Sequence, residues 1–109
     1  MALEHNTKIR VPPKVRRGEA FAVRCLIMHP MENGRRLDAD GRLVPIDIIH
    51  TFECRYAGQT VFRAEMGTGV SANPYLTFYV AATESGPMEF TWHGDDGSVS
   101  TALARIEVE

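Results

Sequence analysis

The stretch "IIHTFECRYAGQTVFRAEM", residues 48–66, decides the fold of this chain. Alternate positions in its first half form a set that we expect to face a core: Ile48, His50, Phe52, Cys54 and Tyr56. The residues between them are mostly polar, and a period of two is that of a β-strand with one buried face. Ala57-Gly58-Gln59 then predicts a hairpin turn, which leads into a second strand from Val61 to Met66.

The same alternation recurs along the rest of the chain, in short runs bounded by Gly, Pro, Asn and Asp. The further predicted strands are residues 8–11, 21–28, 75–81, 88–93 and 101–108. No stretch predicts a helix, and the chain has no internal repeat. About seven short antiparallel strands separated by turns are typical of an all-β fold, an immunoglobulin-like β-sandwich.

Length and composition fit one globular domain spanning residues 1–109, with a flexible terminus over residues 1–7. The net charge of −2 argues against nucleic acid as a partner, because phosphate binding needs a clustered basic face. No stretch approaches the roughly 20 apolar residues of a membrane helix. The N-terminal residues lack the apolar region of a secretory signal, which by itself indicates the cytoplasm.

A cluster of soft and borderline metal ligands lies in "RCLIMHPMENG", residues 24–34. Its candidate ligands are Cys25, Met28, His29 and Met31. Alternation places Cys25 and Met28 on opposite faces of the strand, so these side chains do not converge. No histidine of the chain is paired at a spacing typical of metal sites. We therefore expect no metal and no cofactor.

Catalytic motifs are also missing from the sequence, which has no Gly-x-Ser-x-Gly elbow and no glycine-rich phosphate loop. The stretch "LDADGR", residues 37–42, resembles part of a calcium loop, but Arg36 would then stand where a carboxylate is needed. It therefore predicts a polar turn. Cys25 and Cys54 both alternate inward, and two interpretations stay open: buried inert thiols, or a disulfide between strands.

Several outward positions carry residues that a solvent-facing strand does not need. Leu26 and Met28 lie next to Arg24, and Tyr75 and Tyr79 lie on the outward side of a later strand. Aromatic residues, Met and Arg are enriched at protein interfaces. Either a partner or loops of the same chain would cover them. The connection over residues 30–45 is long enough to suggest a function of its own.

The residues from Ile9 to Val108 resemble the SoxZ family. The most specific pieces are "HPMENG" (29–34), "DII" (47–49), "VFRAEM" (61–66), "ANPY" (72–75) and "ATESG" (82–86). In that family the chain folds as an immunoglobulin-like sandwich and forms the smaller subunit of the SoxYZ sulfur carrier of bacterial thiosulfate oxidation. The resemblance thus implies a non-catalytic subunit without a cofactor.

The resemblance also implies the partners and the compartment. SoxY would be the heterodimer partner, carrying the sulfur substrate on a glycine-flanked C-terminal cysteine, and other Sox enzymes would make transient contacts. This chain has no cysteine after Cys54, so it is not the carrier arm. The family works in the periplasm, where SoxZ arrives by export with SoxY and needs no signal peptide of its own.

We predict that the partner contacts come from outward residues and from two loop tips, Met31 and Asn73-Pro74. The complete set is Arg24, Leu26, Met28, His29, Met31, Asn73, Pro74, Tyr75 and Tyr79. Two alternatives remain. One is a superoxide reductase-like non-haem iron enzyme, a small immunoglobulin-like sandwich whose iron loop can read His-Pro-Met. The other is a SoxZ-like carrier subunit that serves a different periplasmic dehydrogenase.

Overall fold

Eight β-strands form the fold in the computed structural model, which describes residues 7–109. They are β1 (Thr7–Arg10), β2 (Lys14–Val15), β3 (Ala20–Ile27), β4 (Ile49–Tyr56), β5 (Gln59–Glu65), β6 (Tyr75–Ala81), β7 (Gly86–Gly94) and β8 (Val99–Val108). Residues 7–109 contain no helix. Residues 1–6 of the predicted flexible terminus lie outside the described residues, whereas Thr7 pairs with Ile27 as the first residue of β1.

The strands form two sheets, in the orders β1-β3-β6 and β2-β8-β7-β4-β5. All neighbours are antiparallel except β2 and β8, which are parallel. The prediction of an all-β, immunoglobulin-like sandwich is confirmed. The strand that the sequence did not predict is β2, because two residues between Pro13 and Gly18 are too few to show an alternation.

Aromatic side chains join the two sheets across the core. Phe62 of β5 and Phe78 of β6 stack with ring centroids 4.1 Å apart, so one contact links an edge of each sheet. Phe52 of β4 lies against both, and Trp92 of β7 approaches it to 5.1 Å. Burial of each large apolar side chain contributes roughly 1.5–3 kcal/mol, which makes this cluster a main source of stability.

A β-bulge at the start of β4 corrects the predicted orientation of His50. The register between β4 and β7 shifts between Ile49 and Thr51, which leaves His50 as the extra residue. Ile49 and Thr51 are consequently buried, and His50 is exposed. The prediction that His50 faces the core was therefore wrong, because a bulge breaks the period of two on which it depended. From Phe52 onwards the predicted alternation is confirmed.

Two turns fix the ends of β4, β6 and β7. The predicted hairpin has Ala57 and Gly58 at its tip, both with positive φ (54° and 75°), as a two-residue turn between right-twisted strands requires. Next to it, the buried Tyr56 hydroxyl accepts hydrogen bonds from the N–H groups of Thr83 and Glu84. These bonds tie the "ATESG" connection, which runs from β6 of the three-stranded sheet to β7 of the five-stranded sheet, to the end of β4.

Candidate partner-binding face

The outer side of the three-stranded sheet is the surface on which alternation places the outward residues of three strands. We call it the β1–β3–β6 face, and its side chains are Lys8, Arg10, Ala22, Arg24, Leu26, Tyr75, Thr77 and Tyr79. The three strands that build it contain three cationic residues and neither Asp nor Glu. The face is therefore positive although the chain as a whole has a net charge of −2.

The strand register orders these side chains into rows across the sheet. Tyr75 and Lys8 flank Leu26 from its two neighbouring strands, and Thr77 and Arg10 flank Arg24 in the same way. A groove of about 580 Å³ lies over the rows. It is lined by Lys8, Ile9, Arg10, Arg24, Leu26 and Tyr75. Apolar, aromatic and cationic groups thus meet at one concave surface.

Most of the residues predicted to point outward do so. Tyr75 is 58% exposed and Tyr79 is 68% exposed, and Met28, just beyond the end of β3, is 44% exposed. Arg24 is exposed and Leu26 is half-buried between its neighbours. No loop within residues 7–109 covers the two tyrosines, so of the two alternatives that the sequence left open, coverage by these residues does not apply to them.

The predicted outward position of His29 is wrong, because hydrogen bonds hold it inside. Its side chain is 4% exposed, and its Nδ1 accepts a hydrogen bond from the Met31 N–H at 2.9 Å. The backbone N–H of His29 donates to Asn73 Oδ1 at 2.9 Å, and the Asn73 N–H donates back to the His29 carbonyl at 2.7 Å. The "HPM" and "ANPY" stretches therefore form a reciprocal lock, which we call the His29–Asn73 lock.

Met31 and Pro74 are also buried, so the prediction of loop tips at these two residues is wrong. Met31 is 5% exposed and adopts a positive φ of 51°. Its Sδ lies 3.2 Å from the N–H of Ile49, which donates to it at the start of β4. Asn73 is exposed, as expected of a loop tip, and has a φ of 55°. The Pro74 carbonyl accepts a hydrogen bond from the Ile27 N–H at 3.2 Å, which joins this loop to the end of β3.

The outer side of the five-stranded sheet has the opposite character. Its strands carry four cationic and four acidic residues. Arg63 on β5 pairs with Glu53 at 3.2 Å and with Glu65 at 3.0 Å, and Arg105 pairs with Glu107 on β8 at 2.8 Å. By contrast, no ion pair among residues 7–109 includes any cation of the β1–β3–β6 face.

A family model for sulphur oxidation protein SoxZ matches residues 9–105. The chain belongs to the SoxZ family. Since the match extends from β1 into β8, most of both sheets and all of the β1–β3–β6 face except Lys8 lie within the matched residues. No curated protein sequence matches the chain.

Solved structures share the fold of this SoxZ-family chain at low sequence identity. A superoxide reductase (neelaredoxin) from Ignicoccus hospitalis is 24% identical, with a TM-score of 0.73, covering 96% of this chain and 81% of that one. The sulfur carrier protein SoxY from Chlorobium limicola f thiosulfatophilum is 9% identical, with a TM-score of 0.63, covering 94% and 78%. These likenesses show a common sandwich.

The two cysteines of the SoxZ-family chain are free thiols inside the core. Of the two interpretations that the sequence left open, the structure has the buried thiols. Burial raises the pKa of both to about 12, and for Cys25 the nearby Cys54 adds to the effect. Because the thiolate is the reactive form, neither residue is placed to react with a substrate at neutral pH.

Within residues 7–109, no three or more His, Cys, Asp and Glu side chains come together in a way that would hold a metal ion. His50 and His93 stack with ring centroids 6.3 Å apart but have no such third group. None of the described residues forms a helix able to cross a membrane.

The long connection between β3 and β4 exposes apolar residues that sequence reasoning missed. Leu37 and Leu43 face each other across an isolated bridge and are 59% and 63% exposed, and Ile46 is 54% exposed. Between the leucines, Asp38 Oδ1 accepts the N–H groups of two later residues, which makes the predicted polar turn. Two leucines placed symmetrically about that turn were the available signal for a small hairpin.

Proposed function

We propose that this chain is the non-catalytic subunit of a SoxYZ sulfur carrier complex. It binds SoxY and helps present the sulfur-bearing cysteine arm of SoxY to Sox enzymes during thiosulfate or sulfur oxidation. Membership of the SoxZ family over residues 9–105 supports this role. The burial of Cys25 and Cys54 also supports it, since the sulfur must then be carried by a thiol of another chain.

The β1–β3–β6 face is the surface that we assign to SoxY. The observation that carries the assignment is the exposure of Tyr75, Tyr79 and Met28 on a sheet whose Arg24 makes no ion pair within residues 7–109. Tyrosine and arginine are the residue types that dominate binding energy when an interface buries them, and exposed large apolar side chains favour such burial. Leu26 lies between Arg24 and Met28 along the chain and opposite Tyr75, and it completes the contact surface.

The His29–Asn73 lock gives the other predicted site residues a supporting role. His29, Met31 and Pro74 are buried, so we propose that they position the face, whereas the exposed Asn73 contacts SoxY at its edge. Truncation of Met31 should therefore weaken the complex by loosening the loop. Truncation of Tyr75 should weaken it directly.

We further propose that the complex works in the periplasm, after export with SoxY, and that other Sox enzymes bind it only transiently. Which dehydrogenase accepts its electrons depends on those enzymes. In this mechanism the chain has no catalytic role. It stabilises SoxY and leaves the glycine-flanked arm of SoxY free to reach the Sox enzymes, because glycine-rich segments behave as flexible tethers.

Co-expression with candidate SoxY chains, followed by the native mass of the purified complex, tests the proposal. A one-to-one complex that survives purification is the expected result. A chain that stays alone in the presence of every SoxY candidate would overturn the role. Stoichiometric bound iron together with superoxide reduction by the purified chain would replace it with the enzymatic alternative.

A further inference from the structure

Two arginines of the β1–β3–β6 face stand directly opposite each other. Arg10 of β1 is the register partner of Arg24 of β3, and both side chains point outward. Like charges at directly opposed positions of an antiparallel pair destabilise it. The five-stranded sheet instead opposes Glu53 to Arg63, which attract each other. The Arg10–Arg24 pairing is therefore unfavourable in the isolated chain unless an anion lies over it.

Lys8 extends this pair into a three-cation patch. It lies two residues before Arg10 on the same side of β1, at a distance of about 6.8 Å along an extended strand. No acidic residue occurs on β1, β3 or β6 to neutralise the patch. The 580 Å³ groove that contains the patch is much larger than one small ion, and Leu26 and Tyr75 form its apolar side.

We propose that this groove docks an acidic, extended segment of the SoxY partner. Two carboxylates that are two residues apart on an extended segment have the same spacing as Lys8 and Arg10. The carboxylate that lies over Arg10 can accept hydrogen bonds from Arg10 and Arg24 together, and the other carboxylate then lies near Lys8. Apolar side chains of the segment pack on Leu26 and Tyr75. The inference rests on the proposed function, since it specifies what part of SoxY meets the β1–β3–β6 face.

The charge pattern has a kinetic consequence. Oppositely charged surfaces accelerate encounter, and exposed charges of this kind act mainly on the association rate and its salt dependence. Association of the two subunits should therefore be fast at low ionic strength and slow down steeply with added NaCl. Dissociation should depend mainly on the aromatic and apolar contacts.

The test compares association kinetics of SoxY with wild type, with R10Q/R24Q and with the control R63Q/R105Q between about 50 and 500 mM NaCl, over which the Debye length falls from above roughly 10 Å to a few ångström. The control removes the same charge from the ion-paired five-stranded face. We expect R10Q/R24Q to associate about tenfold more slowly at low salt and to lose much of the salt dependence. The control should behave as wild type.

The possible failures are distinguishable. If wild type forms no complex with SoxY, the proposed function fails. If wild type binds and R10Q/R24Q keeps wild-type rates and salt dependence, the docking of an acidic segment is overturned alone. Sodium thiosulfate at matched ionic strength provides a further arm: inhibition of association beyond that of NaCl would show a small-oxyanion site in place of a carboxylate one. K8Q, which leaves the arginine pair intact, should show a smaller reduction in association rate.

Discussion

The two outer faces of this sandwich are built from the same kind of strand and have opposite surface chemistry. The five-stranded sheet carries equal numbers of cationic and acidic residues and pairs several of them, as Arg63 does with Glu53 and Glu65. The β1–β3–β6 face carries three cations, no acid and two exposed tyrosines. One face pairs several of its charges internally, and the other leaves its cations without an ion pair among residues 7–109 and its rings exposed.

This difference shows that net charge is a poor guide to a small domain's partners. The total of −2 argues against nucleic acid, and the strand composition explains how a positive face exists within that total. The acids of residues 7–109 lie on the other sheet and in the loops. A partner approaching the β1–β3–β6 face meets the local charge, because charges further away than about 8–10 Å are screened at physiological ionic strength.

The largest expected effect comes from removing the two exposed tyrosines of the β1–β3–β6 face. Y75A/Y79A should raise the Kd for SoxY by about 1,000-fold, because buried interface tyrosines each contribute on the order of 2 kcal/mol, or about 4 kcal/mol for the pair. The matched control is L103A on the five-stranded face, where Leu103 is 72% exposed. Titration calorimetry of the purified chains measures both. Equal affinities for the two variants would contradict the assignment of the face.

The His29–Asn73 lock at the end of the β1–β3–β6 face provides the next largest effect. N73A should lower the free energy of unfolding by about 2 kcal/mol, because it leaves the His29 N–H without its acceptor and places alanine at a positive φ. Urea denaturation measures the loss. N73D keeps an oxygen acceptor and should lose much less, so an equal loss for both variants would argue against the lock.

Removing one arginine from each outer face should change the free energy of unfolding of the isolated chain slightly, and in opposite directions for the two faces. R24Q should raise the free energy of unfolding by a few tenths of a kcal/mol, because it removes the repulsion with Arg10. R63Q should lower it by up to about 1 kcal/mol, because it breaks two partly exposed ion pairs. Urea denaturation at low salt resolves the signs. If both variants changed the free energy of unfolding in the same direction, the difference in charge pairing between the two faces would be contradicted.

At neutral pH no effect is expected where the sheets are alike, at the buried thiols of their inner faces. Burial keeps the pKa of Cys25 and Cys54 at about 12, against 9.0 for a free thiol. The folded chain therefore holds protons that the unfolded chain releases above pH 9, so stability should be unaffected below pH 9 and fall as pH rises towards 12. At pH 7 a thiol reagent should label only unfolded molecules, and rapid labelling of the native chain would contradict this.

Alternation predicted the sheets well because burial on one face imposes a period of two on each strand. It placed Phe52, Cys54 and Tyr56 inside and Tyr75 and Tyr79 outside, as the structure has them. The pattern ends where the backbone stops being regular. His50 lies outside because of a bulge, which depends on how β4 pairs with a strand some 40 residues away and leaves no local mark in the sequence.

The outward positions of the site residues that lie on strands were predicted correctly, whereas most of the site residues in loops were wrongly placed at the surface. As for His50, the cause is contact with residues that are distant in the sequence. Arg24, Leu26 and Met28 follow from the alternation of β3 alone. His29 and Met31 are buried by bonds to Asn73 and Ile49, which are 44 and 18 residues away. Such bonds need the tertiary fold to bring their partners together. A polar residue and a methionine next to a proline look like a solvent-exposed loop until that fold is known.

The free edge of β6 sets a condition on how this chain can be produced. β6 ends its sheet, and its seven residues include no charge and no proline. The edge strand of the other sheet, β5, by contrast has Arg63, Glu65 and a bulge beside it. Open edges without such protection pair with other chains. Copies of this chain should therefore pair through β6 and aggregate at high concentration, so production of soluble chain requires that this edge be covered.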